Sequence, residues 1–407
     1  MENVNRLLAT RQPTDNFHGA MHRPSRLRDI PGFSIDRVAA AAGEDAAVLR
    51  LENLDTDLRP PPVAIAASRL ALESDDANSY LPFTGTDQLR QAAAAHVSRL
   101  SGIEYDAARQ CVITAGGTAG MFNVLLAALD PGDEVVLTDP TYAGMIARVR
   151  LAGAVPRLVP FVWAEDGWRL DLDALESAVS PRTRMLFLMN PSMPSGAVLD
   201  RAEWERIAAL CRNRGLWLLY NAAMERILYD GRAYLHPAAL PGMAERTITV
   251  GSVSKEYRMI GWRVGWVVGP ASMVSDVARV AIYNVVTPVG IAQPAAAAAL
   301  TTAEDGVTDS VAEWQRRRDR VVAELDGLPL RPAAGGWSML LDVAALGLDS
   351  FTASERLLAR GRIAATPMRH WGEVNGDRFV RLVFSNEPLG RLAGMGERVR
   401  AALKADA

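Results

Sequence analysis

The chain has 407 residues, 49% of them hydrophobic and 22% charged, with a formal net charge of −3. That length exceeds one simple core and implies two domains; the composition is that of a soluble globular protein, and the near-neutral charge leaves no footprint for nucleic acid. No run of about 18 apolar residues offers a membrane span, and Met1-Glu2-Asn3 opens no basic-then-apolar secretory segment.

Residues 1–60 are polar and dotted with proline, with one helix expected at Ser34–Ala42. His18 and His22 stand at i, i+4 without a third ligand nearby, which reads as an exposed arm and not a metal site. Residues 61–300 alternate apolar runs with helical stretches. Strands are expected at Cys111–Thr114, Glu134–Thr138, Arg157–Pro160, Met185–Met189, Leu216–Tyr220, Thr247–Val250 and Val264–Val268. Helices are expected at Asp87–Leu100, Ala119–Leu129, Tyr142–Ala152, Leu172–Val179, Arg201–Arg214 and Ser272–Ala281. Such alternation predicts an α/β fold, a mostly parallel sheet between two layers of helices. The alanine run Ala295–Ala299 reads as a packed helix face. Residues 301–407 then change to α+β character, with a charged helix near Thr308–Leu325, strands at Trp337–Val343 and Arg378–Phe384, and a terminal helix from Leu389. The charges of Gln315–Arg320, set among acidic neighbours, read as a solvated helix face. The expected division is an N-terminal arm and part of a small domain at 1–60, a large domain at 61–300 and the C-terminal small domain at 301–407. Cys111 and Cys211 adjoin apolar runs and read as buried free thiols of a cytoplasmic protein.

Lysine occurs only at Lys255 and Lys404, among 44 basic side chains. Lys404 is in the tail, so Lys255 stands alone in the body of a chain that otherwise uses arginine. Arginine stays charged and cannot form an imine, whereas lysine can lose its proton and attack a carbonyl. Lys255 sits in Ser252-Val253-Ser254-Lys255, between two apolar strands, with Gly261-Trp262-Arg263-Val264-Gly265 following. That places it at a strand end, where open α/β sheets hold ligands. Ser252 and Arg263 are suited to an anion. Upstream, Thr114-Ala115-Gly116-Gly117-Thr118 leads from a strand into a helix, where small residues let backbone N–H groups approach a phosphate.

These segments resemble the signature of the class I/II aminotransferases, pyridoxal 5′-phosphate (PLP) enzymes of fold type I, and the resemblance covers roughly residues 45–400. It implies a seven-stranded, mostly parallel sheet in the large domain. By the same resemblance Lys255 forms the imine with PLP, and Ser252, Arg263, Gly117 and Thr118 hold the phosphate. Asp139-Pro140-Thr141-Tyr142 is similar to the family segment whose aromatic ring, here Tyr142, stacks on the cofactor. Tyr80-Leu81-Pro82-Phe83 resembles the segment whose tyrosine reaches the neighbouring subunit's phosphate, implying a homodimer. Phe379-Val380-Arg381-Leu382 is similar to the strand whose arginine, here Arg381, binds the substrate α-carboxylate. Trp337, after Gly335-Gly336, is either a pocket wall or core.

Three positions depart from the pattern. In Asn190-Pro191-Ser192-Met193-Pro194, methionine stands where the family has a second asparagine. In Tyr220-Asn221-Ala222-Ala223-Met224, Asn221 replaces the aspartate that pairs with the cofactor's ring nitrogen, and Met224 replaces a tyrosine. A charge pair at about 4 Å and an effective dielectric of about 20 is worth on the order of 4 kcal/mol; Asn221 can hydrogen-bond but cannot supply that charge. The expectation is therefore an aminotransferase acting on an α-amino acid and a 2-oxo acid. The alternatives are a PLP-dependent lyase, cyclase or oxidase of specialised metabolism, and a ligand sensor on the same fold, which the chain has no room to equip with a DNA-binding domain. No second substrate-binding arginine or acid can be singled out to name the amino acid.

Overall fold

The structure, a computed structural model, describes residues 34–404 together with Leu27, Ile30 and Gly32. His18 and His22 lie outside the described residues. Eight strands form the large sheet: β1 (Cys111–Thr114), β2 (Glu134–Asp139), β3 (Val155–Ala164), β4 (Gly167–Leu170), β5 (Thr183–Met189), β6 (Trp217–Asn221), β7 (Thr247–Ser252) and β8 (Gly265–Val268). Their spatial order is β1-β8-β7-β6-β5-β2-β3-β4. From β7 through β3 the neighbours are parallel, while β8 runs antiparallel to both β1 and β7. The central strands are buried on both faces and read as unbroken apolar runs, as parallel strands between helix layers must.

The sheet has one strand more than the seven expected. The strand expected at Arg157–Pro160 continues to Ala164 and folds back through Glu165-Asp166 into β4, pairing Trp163 with Trp168. Gly167 supplies a φ of +125° at that turn. The acidic pair followed by glycine, between two tryptophans, was the available hairpin signal.

Helices Ser34–Ala42 and Arg201–Arg214 begin and end where the sequence placed them. The second is bounded by a reciprocal capping box between Asp200 and Glu203 and by left-handed Gly215. Helix Pro62–Leu72 was not expected, because its apolar residues follow no one-sided period; Val63, Leu70 and Leu72 are exposed. The expected terminal helix is two helices, Leu389–Leu392 and Met395–Leu403, parted by Gly394 at φ +75°.

The C-terminal part holds a four-stranded sheet in the order Leu330–Arg331, Ser338–Asp342, Phe379–Val383, Thr366–Pro367. Leu49–Arg50 pairs in parallel with Ile363–Ala364, tying the start of the chain to its end. Asp139, the last residue of β2, accepts backbone N–H bonds from Glu373 (2.8 Å), Val374 (2.7 Å) and Asn375 (3.1 Å), which draws that C-terminal segment over the sheet's edge. Cys111 and Cys211 are buried and free. Among the described residues no helix is long and apolar enough to cross a membrane.

Candidate active site

Strands β2, β5, β6 and β7 are parallel, so Asp139, Met189, Asn221 and Ser252 all close their strands along one edge. Beside that edge lies a cavity of about 430 Å³. Such carboxyl-end crevices are where open α/β sheets place ligands.

Lys255 follows β7 on a turn, its side chain half-buried. Its Nζ donates to the Leu54 carbonyl at 2.7 Å and lies 5.0 Å from the centre of the Trp337 ring. Burial lowers its pKa to about 8; Arg381 and Arg263 push the same way and Asp55 opposes them. About a tenth of the amine is therefore uncharged and nucleophilic at pH 7, far more than for an ordinary lysine. Trp337 is core: fully buried beneath the lysine and packed edge-on against Trp314 at 5.0 Å.

One end of the cavity is an anion cradle. Helix Gly117–Ala128 starts there, and its N-cap, Gly116, offers no side chain to its first N–H groups. A Cβ on Gly116 would come within 2.5 Å of Arg263 Nη2, and one on Gly265 within 2.5 Å of the Gly117 nitrogen, so glycine is what lets these parts meet. Arg263, at φ +55°, reaches Thr118 Oγ1 through Nη2 (3.3 Å) and Ser254 Oγ through Nη1 (3.4 Å). Ser252 Oγ accepts from the Ser254 N–H at 3.4 Å. Free helix N–H groups, hydroxyls and a guanidinium around one space fit a phosphate.

The rest of the wall is aromatic and sulfur-rich. Tyr142 follows β2 and tilts 60° against Trp371 at 5.7 Å; a Cβ on Gly144 would stand 2.5 Å from the Tyr142 ring. Asn221 Oδ1 accepts from the Ala223 N–H (3.2 Å), and its Nδ2 lies 3.5 Å from Met189 Sδ. Met193 and Met224 are buried along the same cavity.

Arg381 is fully buried on strand Phe379–Val383. Its Nη2 donates to the Glu52 carbonyl and to Thr366 Oγ1 (3.1 Å), its Nη1 lies 3.7 Å from Met193 Sδ, and its guanidinium sits 4.8 Å over the Trp371 ring. Burial lowers its pKa to about 10, against the opposing influence of Tyr142 and Glu52. Nε is buried without a hydrogen-bond partner. A buried guanidinium whose Nη1 faces only a thioether and whose Nε has no partner among the described residues has donor capacity left for a carboxylate.

Of the residues singled out in the sequence, the structure gathers Gly117, Thr118, Ser252 and Arg263 with Lys255, and Tyr142, Asn221 and Arg381 join them around the same cavity. Tyr80 is not among them; it stands 83% exposed elsewhere on the surface. Neither the Leu54 carbonyl, a backbone acceptor, nor Ile35 and Asp36, which helix Ser34–Ala42 brings to the cavity, leaves a mark in the sequence. Trp371 and Thr366, which frame Arg381, are likewise recognisable only once the C-terminal sheet is built.

The fold, an α/β sheet with Lys255 and Arg381 on one cavity at its carboxyl edge, is that of the PLP fold type I enzymes. The chain matches the family model "Aminotransferase class I and II" over residues 48–393 and belongs to that family. It is 36% identical over 353 residues to an arginine–pyruvate transaminase of Pseudomonas aeruginosa, covering 85% of this chain and 88% of that one. It is 35% identical over 306 residues to an aspartate aminotransferase of Rhizobium meliloti, covering 74% of each. The structure of N-succinyldiaminopimelate aminotransferase from Mycobacterium tuberculosis superposes with a TM-score of 0.88 at 32% identity, over 94% of this chain and all of that one. The enzyme is an aminotransferase of a family that uses PLP; the names of these relatives give the lyase, cyclase or oxidase alternative no support.

Proposed function

We propose that this chain carries PLP on Lys255 and moves the amino group of an α-amino acid to a 2-oxo acid. The observation that carries this reading is a lysine of pKa about 8 sharing one cavity with an anion cradle and a buried, under-bonded arginine. The cofactor, when bound, supplies the electron sink for bond cleavage at the substrate Cα. In this reading Arg263, Thr118, Ser252 and the Gly117 N–H hold its phosphate. Tyr142 covers one face of its ring, and Asn221 meets its nitrogen. Arg381 takes the substrate α-carboxylate in a planar fork, orienting the Cα–H bond. The Lys255 amine, released from the cofactor and steered by the Leu54 carbonyl, accepts that proton at Nζ and returns it. Relatives acting on arginine and on aspartate bracket the amino acid substrates to be tried first. The same reading divides the chain into an N-terminal arm and part of the small domain at 1–60, a large cofactor-binding domain at 61–300 and the C-terminal small domain at 301–407.

We also propose a homodimer. Leu70, Leu72, Tyr80, Phe83 and Tyr283 are exposed. Their segments lie side by side: helix Pro62–Leu72 packs on helix Gln293–Thr301, and Thr287 Oγ1 donates to the Leu81 carbonyl at 3.4 Å. Exposed apolar side chains on neighbouring segments favour burial against a partner, and there Tyr80 would reach the partner's phosphate.

The test is borohydride reduction of PLP-saturated protein followed by peptide mapping, together with conversion of amino acids in the presence of 2-oxo acids. The pyridoxyl group is expected on Lys255, and its rate of capture by apoprotein should rise with pH up to about 8 and level off above. An adduct elsewhere, or none, refutes the assignment; a monomer by light scattering that binds PLP tightly refutes the shared site.

A further inference from the structure

We infer that Asn221 offers the bound cofactor's ring nitrogen an amide hydrogen in place of a negative charge, and so holds that nitrogen unprotonated. The inference rests on the reading of Lys255 as the cofactor lysine. Asn221 closes β6, is only 4% exposed, and lines the cavity. Its two polar atoms are not equivalent. Oδ1 is taken by the Ala223 N–H at 3.2 Å, which orients the amide. Nδ2 carries two hydrogens, and its one recorded contact among the described residues is Met189 Sδ at 3.5 Å, a weak acceptor. With its oxygen anchored on that backbone N–H, the amide has an Nδ2 hydrogen to give that no strong acceptor among the described residues takes. A pyridine nitrogen with its lone pair satisfies it; a pyridinium N–H would meet donor against donor, at the cost of two unmet buried groups.

The surroundings act in the same sense. Apart from Lys255, which in this reading is joined to the cofactor, the charged groups lining the cavity are Arg263 and Arg381, both cationic, and one carboxylate, Asp36, which is exposed on helix Ser34–Ala42. Tyr142 is the other titratable group there. Like charges disfavour a further cation, and the thioethers of Met189, Met193 and Met224 give a wall of low polarity that disfavours one as well. An unprotonated ring draws less charge away from the reacting centre, so Asn221 sets how strong an electron sink the chain makes of its cofactor.

The experiment uses wild-type holoenzyme loaded with PLP labelled with nitrogen-15 in the ring. The nitrogen-15 NMR signal is expected at the position of an unprotonated pyridine, unchanged on either side of neutrality, and at the pyridinium position in Asn221→Asp. A pyridinium signal in the wild type overturns the inference while leaving Lys255 as the cofactor lysine. Failure to find the pyridoxyl group on Lys255 after reduction overturns both readings. Where Asn221→Asp does not fold, the wild-type spectrum decides by itself.

Discussion

At one end of the cavity Arg263, Thr118, Ser252, Ser254 and the first N–H groups of helix Gly117–Ala128 converge through hydrogen bonds and close glycine contacts. At the other end Asn221 and Arg381 share space with Met189, Met193 and Met224, and their contacts to sulfur run from 3.5 to 3.7 Å. The first end is saturated with donors for an anion. The second holds two strong hydrogen-bonding groups with donors left over: Asn221 Nδ2, and Nη1 and Nε of Arg381. In the proposed reading the difference separates two tasks: the cradle end sets how tightly the cofactor is held, and the sulfur-lined end sets what the bound cofactor does and which substrate it meets. Substitutions at the two ends should therefore part affinity for cofactor from handling of the amino acid.

The largest effect is expected at Arg381. Removing one partner of a buried charged pair costs about 2–5 kcal/mol, roughly 30- to 5,000-fold in affinity. Arg381→Ala should weaken amino acid binding in that range, measured by titrating holoenzyme, with PLP affinity nearly unchanged. Loss of PLP with substrate binding spared would erase the distinction between the two ends. Arg263→Ala should do the reverse at smaller scale. A hydrogen bond to a charged group contributes about 1.5–3 kcal/mol, so the dissociation constant for PLP should rise roughly 10- to 150-fold, with saturating PLP restoring amino acid binding. An Arg263→Ala protein that keeps full PLP affinity would move the phosphate away from the cradle.

Much of this division was legible in the chain before it was folded. The sole lysine of the body, and the glycines and arginine around it, carry a local chemistry that needs no tertiary contact to be read, and the cradle is where the sequence and the structure agree most closely. The positions Met193, Asn221 and Met224 were also visible as departures, but not what they do. That Asn221 Nδ2 meets the Met189 thioether depends on the pairing of neighbouring strands, and that Arg381 lies against Met193 depends on segments 188 residues apart. Helix Pro62–Leu72 escaped because its exposed leucines defeat the one-sided pattern by which surface helices are recognised. The β3–β4 hairpin escaped although Asp166-Gly167 announced it, because the strand before it was cut short at Pro160.

The smallest effect is expected at Tyr142, and it sharpens the comparison most. Its ring faces the cavity and leans on Trp371 at 5.7 Å, while its hydroxyl is close enough to Arg381 to raise that guanidinium's pKa against the burial that lowers it. In the proposed reading the ring serves cofactor binding and the hydroxyl the substrate end. Aromatic stacking contributes about 0.5–1.5 kcal/mol beyond burial, so Tyr142→Ala should weaken PLP binding roughly 2- to 10-fold. Tyr142→Phe keeps the ring and should leave PLP affinity at the wild-type value. The hydroxyl acts on the charge of Arg381, so without it amino acid binding to holoenzyme should change while cofactor binding does not. If Phe and Ala at this position lower PLP affinity alike, the hydroxyl and not the ring is what the cofactor feels, and Tyr142 must be assigned to the donor-rich end of the cavity.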